Sequence, residues 1–427
     1  MPFQIQEQIV EIDNPKLFQW MDVYSAIQKS IKNLKDNYII KLNLVKSSKS
    51  KLYFHVVYVE DFIGFIDEPF KPSIIESFKD ISKADEISCL IIPTGVGAQF
   101  GGYAGDANPL AKALANSSKY LLTHPNVVNG AVLTDLPQNL IYLEGFLLDQ
   151  FLSGRINLLP NKRNKIGVIF DSGINEKRLE YEINVLNAVR AFYGCNILAW
   201  TLTDKPMLIN PSINEFGFSS GSIKNFEYVI EKAFKLKEAG ATAIALCTAI
   251  PDSDSSQGYM CGSGVDPIGG VESIMSHIVS SACGLVSAHG PVLLSDDQHK
   301  KTDYKNISPL AAGEYIAETF LPSVISGLRF APQITESPDS KSVKNVSSII
   351  VPYNAFGSAG VFYCNEEFQN VVLVKENKTC LDISPDDLNI RFKVVDSYID
   401  ITNSRMLSES GIDTDALRRP IKSIQKI

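Results

Sequence analysis

The chain has 427 residues, of which 45% are hydrophobic, 21% charged and 9% aromatic, and its net charge is −8. This composition is ordinary for globular proteins, and the acidic balance argues against a dedicated nucleic-acid binder, which carries a basic excess. No apolar run reaches the roughly 18 residues of a membrane-spanning helix, and the opening MPFQIQEQIVEIDNPK lacks the basic region and apolar stretch of a signal peptide, so a cytoplasmic protein with no membrane partner is expected.

At about 150 residues per domain, the length suggests two to three domains. Asn37–Val45 (NYIIKLNLV) and Leu52–Val59 (LYFHVVYV) are β-rich runs joined by a polar connector, and they predict a hairpin or neighbouring strands. A helical stretch is expected around Ile74–Ile81, and residues 1–84 read as a small α+β cap. From Ile87 the texture changes to short apolar strands alternating with amphipathic helices. Ser88–Pro93 and Lys165–Asp171 read as strands buried on both faces. Arg178–Tyr193 places Leu179, Ile183, Leu186, Val189 and Phe192 at helical spacing, with Gly194 as the C-terminal cap. A strand over Asn196–Leu202, a helix over Lys224–Ala239 with a Glu231–Lys235 pair, and a strand over Ala241–Thr248 follow. The polar stretch Thr335–Lys344 reads as a linker. The expected fold is therefore α/β: repeated Rossmann-like layers with mostly parallel sheets, divided into the cap, a central unit over 85–335 and a C-terminal unit over 345–427.

Two segments resemble each other. Cys89-Leu-Ile-Ile-Pro93 opens the loop TGVGAQFGGYAGDANP, and Cys247-Thr-Ala-Ile-Pro251 opens DSDSSQGYMCGSGVDP. Each loop closes on an acid, Asp106 or Asp266, shortly before a proline. A helix-like segment follows, then an apolar segment that ends in His124 or His289. A fainter third copy, Ile349-Ile-Val-Pro352 followed by YNAFGSAG, lacks the acid and the histidine. Loops after buried strands lie at the carboxyl edge of a sheet, where open α/β folds bind ligands.

Glycines let backbone N–H groups approach an anion, so Thr94, Gly95, Gly97, Gly101, Gly102, Gly105, Asn126, Gly262, Gly264, Gly357 and Asn377 are candidate ligand-binding residues. The alternative is that these glycines and prolines merely punctuate strand ends. The pattern is neither a dinucleotide fingerprint, since Phe100 stands where the third glycine belongs, nor a P-loop. His124 and His289 are candidate acid–base groups. Asp106 and Asp266 are candidate bases, metal ligands or ribose contacts, or else helix caps. Seven widely spaced cysteines without a C-x-x-C pair argue against a zinc site or a disulfide framework. Cys247, at a strand end, is the candidate nucleophile. No compact ligand spacing points to a metal, and no cofactor is assigned.

The run IIPTGVGAQFGGYAGDANPLAKALA, the segment LLTHPNVVNGAVL, and the later SGVDPIGGVESIMSHI, AHGPVL and VVLVKENKTCLDISPDDL resemble a domain-of-unknown-function family, number 3326, typical of photosynthetic bacteria and plastids. The resemblance covers residues 85–425. It implies that Gly102, Asp106, His124, Asp266 and Asn377 stand at signature positions, whereas Phe356-Gly-Ser-Ala-Gly360 departs from the pattern. The family carries no established reaction.

Matching motifs around one crevice fit an enzyme that uses acid/base chemistry on a small anionic metabolite, a carboxylate or phosphate, as an isomerase, epimerase or lyase does. A non-catalytic nucleotide- or metabolite-binding regulator is the alternative, with a homo-oligomer open in either case. A dinucleotide-dependent dehydrogenase is weakened by the missing third glycine. A further alternative is a cysteine-dependent racemase, since Ala245-Leu-Cys-Thr248 is similar to the second cysteine motif of aspartate/glutamate racemases. Its partner, Cys89, is followed by Leu-Ile-Ile rather than Asn-Thr.

Overall fold

The computed structural model describes residues 4–31, 37–73, 87–130, 133–251, 256–293, 307–315, 319–402 and 404–426. Strands β1 (Ile5–Asp13), β2 (Asn37–Ser47) and β3 (Lys51–Glu60) form an antiparallel sheet in the order β1-β3-β2, with helix Trp20–Ser30 between β1 and β2. The hairpin read from the sequence is therefore β2–β3. The helix expected around Ile74–Ile81 lies outside the described residues.

Strands β4 (Ile87–Leu90), β5 (Tyr120–Thr123) and β6 (Leu140–Tyr142) begin a second sheet. A short strand β7 (Leu158–Leu159) precedes β8 (Ile166–Phe170) and β9 (Ile197–Leu202), and an antiparallel ribbon, β10 (Leu208–Ile213) with β11 (Ser219–Lys224), comes next. Then come β12 (Ala243–Ile250), β13 (Val286–Leu293), β14 (Gln333–Ile334), β15 (Val346–Pro352), β16 (Val371–Val374) and β17 (Lys393–Val395). They assemble into a six-stranded parallel sheet, β17-β16-β15-β4-β5-β6, and a four-stranded parallel sheet, β13-β12-β8-β9. The layered α/β fold expected from the sequence is present. The expected boundary at 335–345 does not separate sheets, however, because β15 hydrogen-bonds to β4. The 345–427 segment completes a sheet begun at Ile87, and the expected 85–335 unit is shared between two sheets.

Side-chain alternation explains why β12 sits in the interior. Ala243, Ala245, Cys247 and Ala249 pack into the core around the six-stranded sheet, and Ile244, Leu246 and Ile250 pack into a second core against helix Gly269–Cys283. A parallel strand covered on both faces has to be apolar at successive positions. Helix Glu176–Tyr193 ends at Gly194, whose φ of 65° is the left-handed cap conformation. Leu186 and Val189 bury its inner face, but Phe192 is 87% exposed, because the helix leaves the core one turn before its apolar pattern ends.

Candidate active site

The two similar segments fold as corresponding pairs of neighbouring parallel strands, β4–β5 in one sheet and β12–β13 in the other. Their glycine-rich loops meet. Gly97 has φ +61°, and a Cβ there would lie 2.8 Å from the Gly264 carbonyl oxygen. Gly95 packs against Ser219, whose N–H donates to the Gly95 carbonyl at 2.7 Å. Glycine density thus serves backbone-to-backbone packing.

Between the carboxyl ends of the two sheets lies a cavity of about 240 Å³. His124 follows β5, and its Nε2 accepts the Ile92 N–H at 3.0 Å. An imidazole nitrogen that accepts a backbone N–H is unprotonated, so the ring hydrogen sits on Nδ1. Burial, helped by His277, lowers the His124 pKa to about 4 and keeps the ring neutral. His289 lies within β13, opposite Leu246 of β12. Its Nδ1 stands 3.0 Å from Glu272 Oε1, and its Nε2 shares a hydrogen bond with the Thr248 hydroxyl.

Carboxyl groups dominate the remaining wall. Glu144 caps helix Gly145–Leu152, accepting the Phe146 and Leu147 N–H groups at 2.9 and 2.8 Å, and its Oε2 lies 2.9 Å from His277 Nδ1. Asp266 accepts the Ile268 N–H at 3.0 Å, and burial beside Glu272 raises its pKa to about 7. Glu314 accepts the Ala104 N–H at 2.9 Å and the Tyr259 hydroxyl at 2.7 Å, and burial raises its pKa to about 8. Asp149 accepts the Gly360 N–H at 3.1 Å and is raised to about 6, again by burial. Carboxyls poised near neutrality can both give and take protons.

Of the residues singled out in the sequence, His124, His289, Asp266, Thr94 and Asn126 line this cavity. Asn126 also ties its rim, donating to the Ile92 and Gly101 carbonyls at 2.9 and 2.8 Å. Asp106 lies elsewhere. Burial raises its pKa, its Oδ2 pairs with Arg419 at 3.0 Å, and that guanidinium stacks on Phe100. Asn377 is a buttress, bonded to the Phe100 N–H, the Phe100 carbonyl and the Tyr398 hydroxyl. Gly101 abuts the Ile92 side chain, Gly102 the Ala98 carbonyl, Gly105 the Asn129–Gly130 backbone, Gly262 the Ser308 side chain and Gly357 the Leu44 backbone. These glycines serve close packing rather than an anion cradle. Cys247 is buried in mid-strand away from the cavity wall, and burial pushes its thiol well above the ordinary range; Cys89 is likewise raised. Neither has the electropositive, accessible setting of a reactive thiolate.

Sequence reasoning singled out none of Lys41, Glu144, Asp149, Glu272, His277 and Glu314 as site residues. One signal was available. Helix Gly269–Cys283 is buried nearly all round, yet carries Glu272 and His277; ionisable groups in such a helix need partners, or mark a site. Among the described residues, no group of three or more His, Cys, Asp or Glu side chains is placed to hold a metal ion.

The family described as a protein of unknown function, DUF3326, matches residues 87–418. The chain belongs to this family. An uncharacterised lipoprotein of Synechococcus sp. is 35% identical over 338 residues, covering 77% of this chain and 92% of the relative. No solved structure matches. The lipoprotein overturns the cytoplasmic location expected from the sequence, because a lipoprotein is held to a membrane by its acyl chains. Among the described residues, no helix is long and apolar enough to cross a membrane.

Proposed function

We propose that this member of the family is an enzyme that moves a carbon-bound proton of a small metabolite, as isomerases, epimerases and lyases do, in the cavity between the two sheets. The observation that carries this reading is the placement of His124, a neutral Nδ1–H donor, and Asp266, a carboxyl poised near pH 7, on the wall of one cavity. A neutral imidazole donor can polarise a substrate carbonyl without giving up its proton, and a carboxyl of matched pKa can take the adjacent C–H proton and return it. His289, with both ring nitrogens engaged by Glu272 and Thr248, would hold this wall in place rather than exchange protons with the ligand. The cavity volume, below the roughly 300–1,000 Å³ of drug-sized sites, favours a small ligand. Five carboxyl side chains on the wall, against one lysine and three imidazoles, favour a ligand with one negative charge at most over a phosphate ester. The lipoprotein relative favours a membrane-associated setting for this chemistry.

Proton exchange at carbon can be followed whatever the substrate. Protein in D2O is incubated with a small-molecule extract, and deuterium uptake at carbon is read by mass spectrometry. One metabolite should exchange, and D266N should slow that exchange by about 10²–10⁴-fold, the usual worth of general acid–base catalysis. Binding of a metabolite without exchange would favour the non-catalytic binding protein instead.

A further inference from the structure

Lys41 is unlike the paired lysines of the surface. It lies on β2, where the ladder to β3 shifts register between Ile39 and Lys41. In a regular strand Lys41 would continue the face of Ile39. The bulge instead puts Ile39, Leu42 and Leu44 together in the main core and turns Lys41 and Asn43 to the opposite side, into the cavity. Bulges re-aim side chains in this way beside active sites. Lys41 Nζ lies 3.3 Å from the Ser273 hydroxyl and makes no ion pair with a described residue. A smaller space of about 70 Å³, reaching His55, adjoins the cavity at Lys41, Asn43, Pro93, Thr94 and Ala355. Glu7 acts on it electrostatically without an ion pair, and a buried amine facing a cavity in this way is placed to act as a nucleophile.

We infer that Lys41 forms an imine with the carbonyl carbon of a small 2-oxo acid bound in this cavity. This rests on the acid/base reading above and names its substrate class. The Nζ lone pair attacks the carbonyl carbon, the C=O π pair moves to oxygen, and a proton passes from the nitrogen to that oxygen to give a neutral carbinolamine. A protonated carboxyl of the wall, Asp266 or Glu314, protonates that hydroxyl, and it leaves as water. The resulting iminium carries one positive charge, which meets the substrate carboxylate next to it and acidifies the neighbouring C–H. Loss of that proton to a wall carboxylate gives an enamine; reprotonation and attack by water release the product and the free amine. Burial holds the Lys41 pKa at about 8, so a useful fraction is unprotonated near neutrality.

Full-length protein is treated with pyruvate and sodium cyanoborohydride, and the adduct is mapped by peptide mass spectrometry. One reduced pyruvate adduct is expected, on the peptide containing Lys41, reaching most of the protein. K41R should cut that labelling by at least about tenfold while keeping the wild-type melting curve. No adduct, an adduct spread over surface lysines, or equal labelling in K41R overturns the inference. The acid/base reading fails separately, in the D2O experiment: proton exchange in wild type without Lys41 labelling overturns the imine alone.

Discussion

His124 shows how one hydrogen bond assigns a role. Its place after β5 suggested an acid–base group; the Ile92 N–H occupies Nε2 and leaves a donor at Nδ1. Nitrogen-15 NMR of labelled histidine should therefore find His124 as the Nδ1–H tautomer, unprotonated down to about pH 5; an imidazolium at pH 6 would exclude the donor role. In H124F the Ile92 N–H loses its acceptor in the interior. An orphaned buried donor costs about 1–3 kcal/mol, so the urea midpoint should fall accordingly and carbon-bound exchange should cease. An unchanged midpoint would show that water replaces the imidazole at no cost.

At the scale of elements, the contact between the two glycine loops positions the walls of the cavity. Gly97 and Gly194 both have positive φ, but only Gly97 faces a carbonyl that a methyl group would strike; at Gly194 there is open space. G194A should cost about 1 kcal/mol, the conformational term alone. G97A should cost about 2–3 kcal/mol once the displaced Gly264 backbone is added, and it should also weaken metabolite retention. Equal losses in thermal denaturation would mean that the loops do not support each other. Much of this level was legible in sequence. Apolar runs marked β4, β8, β12 and β15, and the repeated loop with its acid and histidine led to Asp266, His124 and His289. The ribbon β10–β11 was not legible, because its polar LINPSI and SSGSIK carry no buried-face period. Nor could Lys41, Glu144 or Glu314 be assigned to the site, since they arrive from remote segments through tertiary packing. Asp106 shared the motif yet was diverted by Arg419, 313 positions away in the chain.

For the molecule as a whole, the buried carboxyls shape the response to pH. Asp149, Asp266 and Glu314 have folded pKa values of about 6, 7 and 8, above their ordinary values, so between about pH 4 and 8 the folded state holds more protons than the unfolded chain. Their contribution is fully present below the unfolded carboxyl pKa and is lost as pH rises through the folded values. His124 acts oppositely, since the unfolded ring takes a proton near pH 6.5 and the folded ring only near 4. Lys41 is charged in both states below about pH 7. Three carboxyls outweigh one imidazole, so stability should rise by about 4 kcal/mol from pH 7.5 to 5.5, at about 1.4 kcal/mol per pH unit and net proton. Urea titrations would show this, with a smaller rise in E314Q; a fall in wild type would mean that the carboxyls are ionised. The pairing of β15 with β4 has a consequence of another kind. Leu90 meets Ile350, its partner 260 positions later. At about 5–20 residues per second of synthesis, the β4 edge waits roughly 13–50 s for that partner. During this interval an apolar strand is open to other chains, and a nascent polypeptide of this family is at its most exposed to aggregation while still on the ribosome.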